Sequence, residues 1–471
     1  MIAQKAQHMP GFPDKVRVLQ RKLYVAAKKA PKRTFGILYD KICRMDVLEE
    51  AWEQVRQNKG SAGVDKVTIG EVEQRGVDAL LGEIQQELLA ERYRPKAVRR
   101  VYIPKSGKKN AKRPLGIPTV KDRIVQTATK LVIEPLFEAS FLDCSYGFRP
   151  QRSPQQALAC VQKAVINGYR EVIDIDLKSY FDTIPTERLL ACVRKRVSDP
   201  KVLRLIKRWL EAGIMEQGQH LPTEAGVPQG GPLSPLLSNV YLHVIDKIWT
   251  QHHPQTRIVR FVDDIRVLCR SRSKEYMESL VDWINWHGLQ INPEKSQIVH
   301  AAEGFNFLGQ HFRLKPSRKW KGWHFCYRWP TKQAISTIKE LIRNAIGPDE
   351  RYSLEAKIGV INPILRGWCQ YHRYSNGHKH FDAIDSYLSF GCVGTRPHET
   401  AWEGSSFRSS EVSLRSSVCL LADWVKNAHK TEKRHQPSLG SEEPDGLGLY
   451  TNYQTEPFRF SKCAKHSNQC A

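Results

Sequence analysis

One apolar strand, broken by two adjacent aspartates, constrains this chain more than any other stretch. In RFVDDIRVL, Arg260 to Leu268, the run before the break, IVRFV, is β-branched or aromatic at nearly every position, and IRVL resumes the pattern after it. The reading is strand, tight turn, strand. Asp263 and Asp264 repel each other, by roughly 4 kcal/mol at about 4 Å and an effective dielectric near 20. Aspartate is a good turn residue, so a solvated hairpin tip is one explanation. The other is a cation beside the pair, because hard oxygen ligands gathered at a strand end suit Mg²⁺. That second explanation requires a further carboxylate from elsewhere in the chain.

EVIDIDLKSYFD contains one. Asp176 stands where a β-branched strand ends, with Asp174 on the same face two residues back and Asp182 beyond. A strand-end carboxylate and a hairpin pair together could hold two Mg²⁺ about 3.5 to 4 Å apart, the arrangement for in-line attack of a hydroxyl on phosphorus. Charge points the same way. Lys and Arg number 73 against 49 Asp and Glu, a net charge of +24, and most of them are spread between Arg17 and Arg373, so the basic character belongs to the folded body and a polyanionic partner is expected. Eleven cysteines without a C-x-x-C pair argue against a zinc site or a disulfide framework and for reduced thiols. MIAQKAQHMPGFPDK lacks an apolar signal core and no apolar run approaches membrane-spanning length, so the expectation is a soluble, cytoplasmic protein with no membrane partner.

Periodicity places the remaining elements. A helix from Asp46, capped by that residue, should bury Val47, Leu48, Ala51, Trp52 and Val55 and stop at Gly60; another spans about Val77 to Glu91. RYRPKAVRRVYIPKSGKKNAKRPLGIP reads as a basic hairpin with a polar tip. A helix from Asp122 should end near Pro135, and TKQAISTIKELIRNAIG should bury Ile335, Ile338, Leu341, Ile342 and Ala345. Helix, strand and hairpin alternate without a βαβ period, which predicts α+β rather than a doubly wound sheet. Beyond about Phe390 the chain is rich in turn residues and is expected to be poorly ordered.

In their order along the chain, RKLYVAAKKAPKR, GSAGVD, YIPKSGKKNAKRPLGIPTVKDRIVQ, CSYGFRPQRS, DIDLKSYFDTI, GVPQGGPLSPLLSNVYLH, RFVDDIRV, INPEKSQIV, FNFLG and NPILRGWCQY closely resemble the group II intron-encoded reverse transcriptases, or maturases, over roughly residues 17 to 390. The resemblance implies a right-hand polymerase of fingers, palm and thumb with a helical maturase domain X. Residues 1–95 would form the N-terminal extension, 96–315 fingers and palm, 316–390 the thumb and an incomplete domain X, and 391–471 an atypical tail. It also implies that Asp176, Asp263 and Asp264 hold catalytic Mg²⁺, and that Phe181 excludes a 2′-hydroxyl. Gln229 and Gly230 would line the nucleotide pocket, Lys105 and Arg113 would neutralise the triphosphate, and Lys295 would help protonate pyrophosphate. Arg149 and Arg152 could hold template or primer phosphates, contacts that position without reading sequence. The implied partners are group II intron RNA, primer and target DNA, and dNTPs.

The sequence departs from the family in three places. Phe261 and Val262 stand where Tyr and Ala usually precede the paired aspartates. Arg266 occupies a normally apolar position and could pair with a nearby acid. After FDAIDSYLSF no basic helices or endonuclease signature are found, which fits a truncated or frame-shifted copy. The expected activity is an RNA-directed DNA polymerase that binds its intron RNA, assists splicing and copies the RNA into DNA; the rivals are a maturase whose polymerase has decayed into a splicing cofactor, and a retron-like or defence-associated enzyme.

Overall fold

The computed structural model describes residues 14–104, 112–216, 218–222, 225–317, 321–346 and 354–393. Its strands are, in chain order, β1 Val98–Pro104, β2 Lys112–Ile117, β3 Glu171–Asp176, β4 Ile214–Glu216, β5 Gln219–Leu221, β6 Arg257–Phe261, β7 Asp264–Cys269, β8 Gln297–His300, β9 Phe305–Phe307, β10 Gln310–Pro316 and β11 His324–Pro330. They form sheets ordered β2-β1-β4-β5, β6-β7-β3-β8 and β11-β10-β9. Pairing is antiparallel except between β1 and β4. Helices and sheets are mixed without repeating βαβ units, and the expected basic hairpin is β1 and β2.

The β6-β7-β3-β8 sheet is buried on both faces, and period-two alternation decides which side chain goes where. Ile173, Ile175, Ile258, Ile265 and Val267 join a large core with the helices Ser234–His252 and Ser273–Trp286. Val172, Val259 and Leu268 face the other way, into a core with the helix Pro154–Ile166 and with Phe305, Phe307 and Phe312. A third apolar cluster, around Ile338, Ile342, Ile361, Leu365, Ile384 and Leu388, joins the helices Lys332–Ile346, Leu354–His372 and His378–Val393.

Several local expectations need correction. The helix Met45–Gln57 buries the five expected residues, but Asp46 lies inside its first turn, ion-paired with Arg44, and does not cap it. The helix expected to stop near Pro135 runs Val120–Glu138. Pro135 has no N–H to offer the Leu131 carbonyl, and the Gln20 side-chain amide donates to that oxygen instead at 3.0 Å. Leu341 is 44 % exposed rather than buried. The tail expected to be poorly ordered lies, from residue 394 on, outside the described residues.

Candidate active site at the β6–β7 turn

β3 and β7 pair in a register that sets Asp176 directly opposite Asp264 and Asp174 opposite Arg266. Asp263 follows in the two-residue turn between Phe261 and Asp264, themselves a cross-strand pair. Asp176 is thus brought to the same end of one sheet as the adjacent pair Asp263 and Asp264, nearly ninety residues further along the chain. The turn is tight: Val262 takes φ +61, a conformation glycine favours and a β-branched side chain resists. Gly147 makes room for it, because a Cβ there would come within 2.5 Å of Val262 Cγ2 and 2.6 Å of its backbone nitrogen.

Each end of the cross-strand pair already carries a cation. Lys295 Nζ lies 2.5 Å from Asp176 Oδ2. Arg266 Nη1 lies 2.6 Å from Asp174 Oδ1 and 2.5 Å from Asp264 Oδ1, and its guanidinium sits over the Phe307 ring at 5.1 Å from the centroid. The arginine that departs from the family is therefore an internal counter-ion. Burial raises the Asp263 and Asp264 carboxyls above their ordinary range, with neighbouring acids adding to it; Arg113 opposes the shift at Asp263 and Arg266 at Asp264. Asp174 is pushed up to about 6, first by burial and then by Asp264 and Asp176, against the pull of Arg266.

Among the described residues no three His, Cys, Asp or Glu side chains converge as ligands of a single ion do. The donor set nonetheless suits a divalent cation: the available atoms are hard carboxylate oxygens, and the site already stabilises positive charge on Asp176 and Asp264. The side chains fit the group while the lysine and arginine stand in for it.

Next to the carboxylates, backbone packs on backbone. The Val227 N–H donates to Phe181 O at 2.7 Å and the Gly226 N–H to Ile184 O at 2.9 Å, joining the Gly/Pro loop to the turn after β3. Phe181 is partly buried, edge-on to Tyr180. Gln229 is half-buried with its amide 3.4 Å from Asp182 Oδ2, while its carbonyl accepts from Gly116 N at 2.6 Å on β2. Gly230, at φ +116, has no room for a Cβ, which would fall 2.5 Å from Gly116 O. Arg113 projects exposed from β2; Lys105 lies outside the described residues.

Arg149 requires a correction. Its side chain is 3 % exposed and its donors are engaged internally, on Glu138 at 2.7 Å and on the Leu142 and Ser145 carbonyls, each at 2.6 Å. No donor is left facing a nucleic acid, and its role here is to brace the loop. Arg152 pairs with the exposed Asp143 and lies over the Tyr146 ring, still partly accessible.

A further pair stands behind the turn. Arg260 and Asp246, both 0 % exposed, form a bidentate ion pair with contacts of 2.6 and 2.8 Å. Arg260 also donates to Asn239 Oδ1 and Val262 O, each at 2.9 Å, tying the helix Ser234–His252 to the turn itself. An arginine inside the apolar run IVRFV signals a buried partner, and Asp246 is that partner.

Comparison with known proteins bears on these observations. Residues 103–312 match the family described as reverse transcriptase (RNA-dependent DNA polymerase). Residues 335–389 match the group II intron, maturase-specific domain. Protein YkfC of Escherichia coli is 34 % identical over 342 residues, 64 % of this chain and 89 % of that protein. The group II intron-encoded protein LtrA of Lactococcus lactis is 38 % identical over 220 residues, covering 46 % of this chain and 36 % of LtrA. Maturase-like protein 1 of Euglena gracilis is 25 % identical over 55 % of this chain and 54 % of its own length. The chain belongs to the group II intron-encoded reverse transcriptases and maturases. It is a reverse transcriptase, an RNA-directed DNA polymerase, and the reading as a decayed splicing cofactor is not favoured. Among the described residues no helix is long and apolar enough to cross a membrane.

Proposed function

We propose that Asp176, Asp263 and Asp264 form the polymerase centre of this reverse transcriptase and hold Mg²⁺ there. The observation that carries the reading is the register of β3 on β7, which opposes Asp176 to Asp264 with Asp263 beside them in the turn. Bound Mg²⁺ would make a primer 3′-hydroxyl a better nucleophile and neutralise charge on the triphosphate. The carboxylates would hold the ions, and the buried Arg260–Asp246 pair keeps the turn from shifting. Lys295, whose ammonium sits on Asp176, would supply the proton to departing pyrophosphate.

Arg113, with Lys105, neutralises the triphosphate. Gln229 and Gly230 bring backbone against the incoming nucleotide, and the Phe181 ring leaves no space for a 2′-hydroxyl. Arg152 is the accessible candidate for a template or primer phosphate. These parts suit a right-hand arrangement: an N-terminal extension over 1–95, fingers and palm over 96–315, and thumb with domain X over 316–390. The partners are the parent intron RNA, primer and target DNA, and dNTPs; binding the RNA assists splicing, and copying it into DNA serves mobility.

Incorporation of labelled dNTP on a primed RNA template tests this. Incorporation should require Mg²⁺ and fall at least about 1,000-fold in Asp263→Ala, the scale expected when metal-held charge stabilisation is removed. Undiminished incorporation by a folded Asp263→Ala protein would refute the assignment.

A further inference from the structure

The β6–β7 hairpin has two ends. Acids gather at the closed end; at the open end, six residues along β7 and so about 20 Å away at the rise of a strand, the charges are reversed. Arg257 begins β6 and Arg270 follows the last residue of β7. Both guanidiniums lie over one ring, that of the buried Tyr169, at 5.4 and 5.0 Å from its centroid. Lys163 and Asn167, from the end of the helix Pro154–Ile166, complete the lining of a cavity of about 610 Å³ with Cys160 and Ala164. Lys163, Arg257 and Arg270 are all exposed. No carboxylate pairs with any of them among the described residues. The arginines make only 3.3 Å hydrogen bonds to the backbone carbonyls of Pro254, Thr256 and Asn167.

Like charges crowded without an acid are stabilised by an anion from outside, which is the argument of Asp263 and Asp264 with the sign reversed. We infer that this cavity is a phosphate-binding site occupied by the sugar–phosphate backbone of structured RNA, a contact remote from polymerisation. The inference rests on the chain being an intron RNA-binding enzyme. Three features favour a polynucleotide over a small anion: the chain as a whole carries +24, the cations are exposed, and guanidiniums cover the Tyr169 ring, so the site offers charge but no aromatic face for a base. Such a contact anchors RNA without reading its sequence.

The test measures binding of a labelled group II intron transcript against salt concentration, with dNTP incorporation on a short homopolymer primer–template measured alongside. Arg257→Gln with Arg270→Gln should bind the transcript at least about tenfold more weakly and flatten the slope of log affinity against log salt by about two. Lys163→Gln should flatten it by about one. Incorporation on the short duplex should be unchanged in both. Unaltered affinity and slope in folded variants would overturn the proposal, as a protein occupant would also predict. So would inorganic phosphate raising the melting temperature of the natural protein and not of the double variant while RNA affinity stays the same, which marks a small-anion site. Equal loss of RNA binding and of incorporation would overturn it too, by removing the separation between the two ends. Should the double variant not fold, Lys163→Gln decides. A natural protein that binds the transcript in this salt-dependent way yet incorporates nothing would sink the polymerase assignment and leave this site standing.

Discussion

Arg260 sits inside the strand leading to the paired aspartates, with no solvent contact and one carboxylate, Asp246, to balance it. Removing that carboxylate leaves a guanidinium charged and buried, so Asp246→Ala should lower unfolding stability by about 3 to 5 kcal/mol. A urea denaturation midpoint within error of the natural protein would contradict this. Arg266 is a second charge in an apolar register, and it sits between Asp174 and Asp264 for the same reason: a face that carries acids needs a cation in it. The sequence announced Arg266 as a residue in search of an acid but could not say which, because only the β3–β7 register puts Asp174 across from it. Arg149 was misread for a related reason. An arginine in a loop looks available until Glu138, eleven residues earlier, is found folded against it.

At the level of elements, turns and loops carry the site, and glycines set how closely they approach. Gly230 lies where the Gly/Pro loop presses on Gly116 of β2. An alanine there must push the loop away, so Gly230→Ala should raise the KM for dNTP by about tenfold more than it lowers kcat, given how steeply rates depend on small displacements. Steady-state kinetics would check it, and an unchanged KM would mean that the loop does not bound the nucleotide pocket. Elements with clean periodicity were legible beforehand: the helix Met45–Gln57, the hairpin β6–β7, and the strand β3 with its acids on one face. Others were hidden by particular residues. β11 was missed because Arg328 occupies a buried position in its alternation, donating to Tyr374 O at 3.2 Å from within the fold. The helix Val120–Glu138 continues past Pro135, where local sequence would end it, because a glutamine more than a hundred residues earlier compensates the missing donor. The strand-end positions of Asp176 and Asp264 were legible in the sequence, whereas the cations seated on them were not.

Across the whole molecule, burial of neutral histidines makes stability depend on pH. Desolvation pushes His243 and His287 down to about 4 each, while in an unfolded chain they protonate near about 6.5. Between those values the unfolded chain takes up protons that the folded chain refuses, so stability should fall as pH drops from about 6.5 to 4. His243 packs edge-on against Phe141 at 5.3 Å, and His243→Phe should weaken that decline; urea midpoints at pH 7 and pH 5 would reveal it, and equal midpoints for the natural protein would contradict it. The β6–β7 hairpin is also divided electrostatically, with acids at its closed end and, among the described residues, cations without a carboxylate partner at the other. On the proposed reading the acidic end holds divalent ions. The most direct test of that reading replaces Mg²⁺ with Fe²⁺, generates hydroxyl radicals, and maps backbone cuts by mass spectrometry. The account predicts cuts flanking Asp176 and the Asp263–Asp264 turn, suppressed by excess Mg²⁺ and absent in Asp263→Ala. Cuts clustered elsewhere, or cuts at the turn that survive Asp263→Ala, would contradict it.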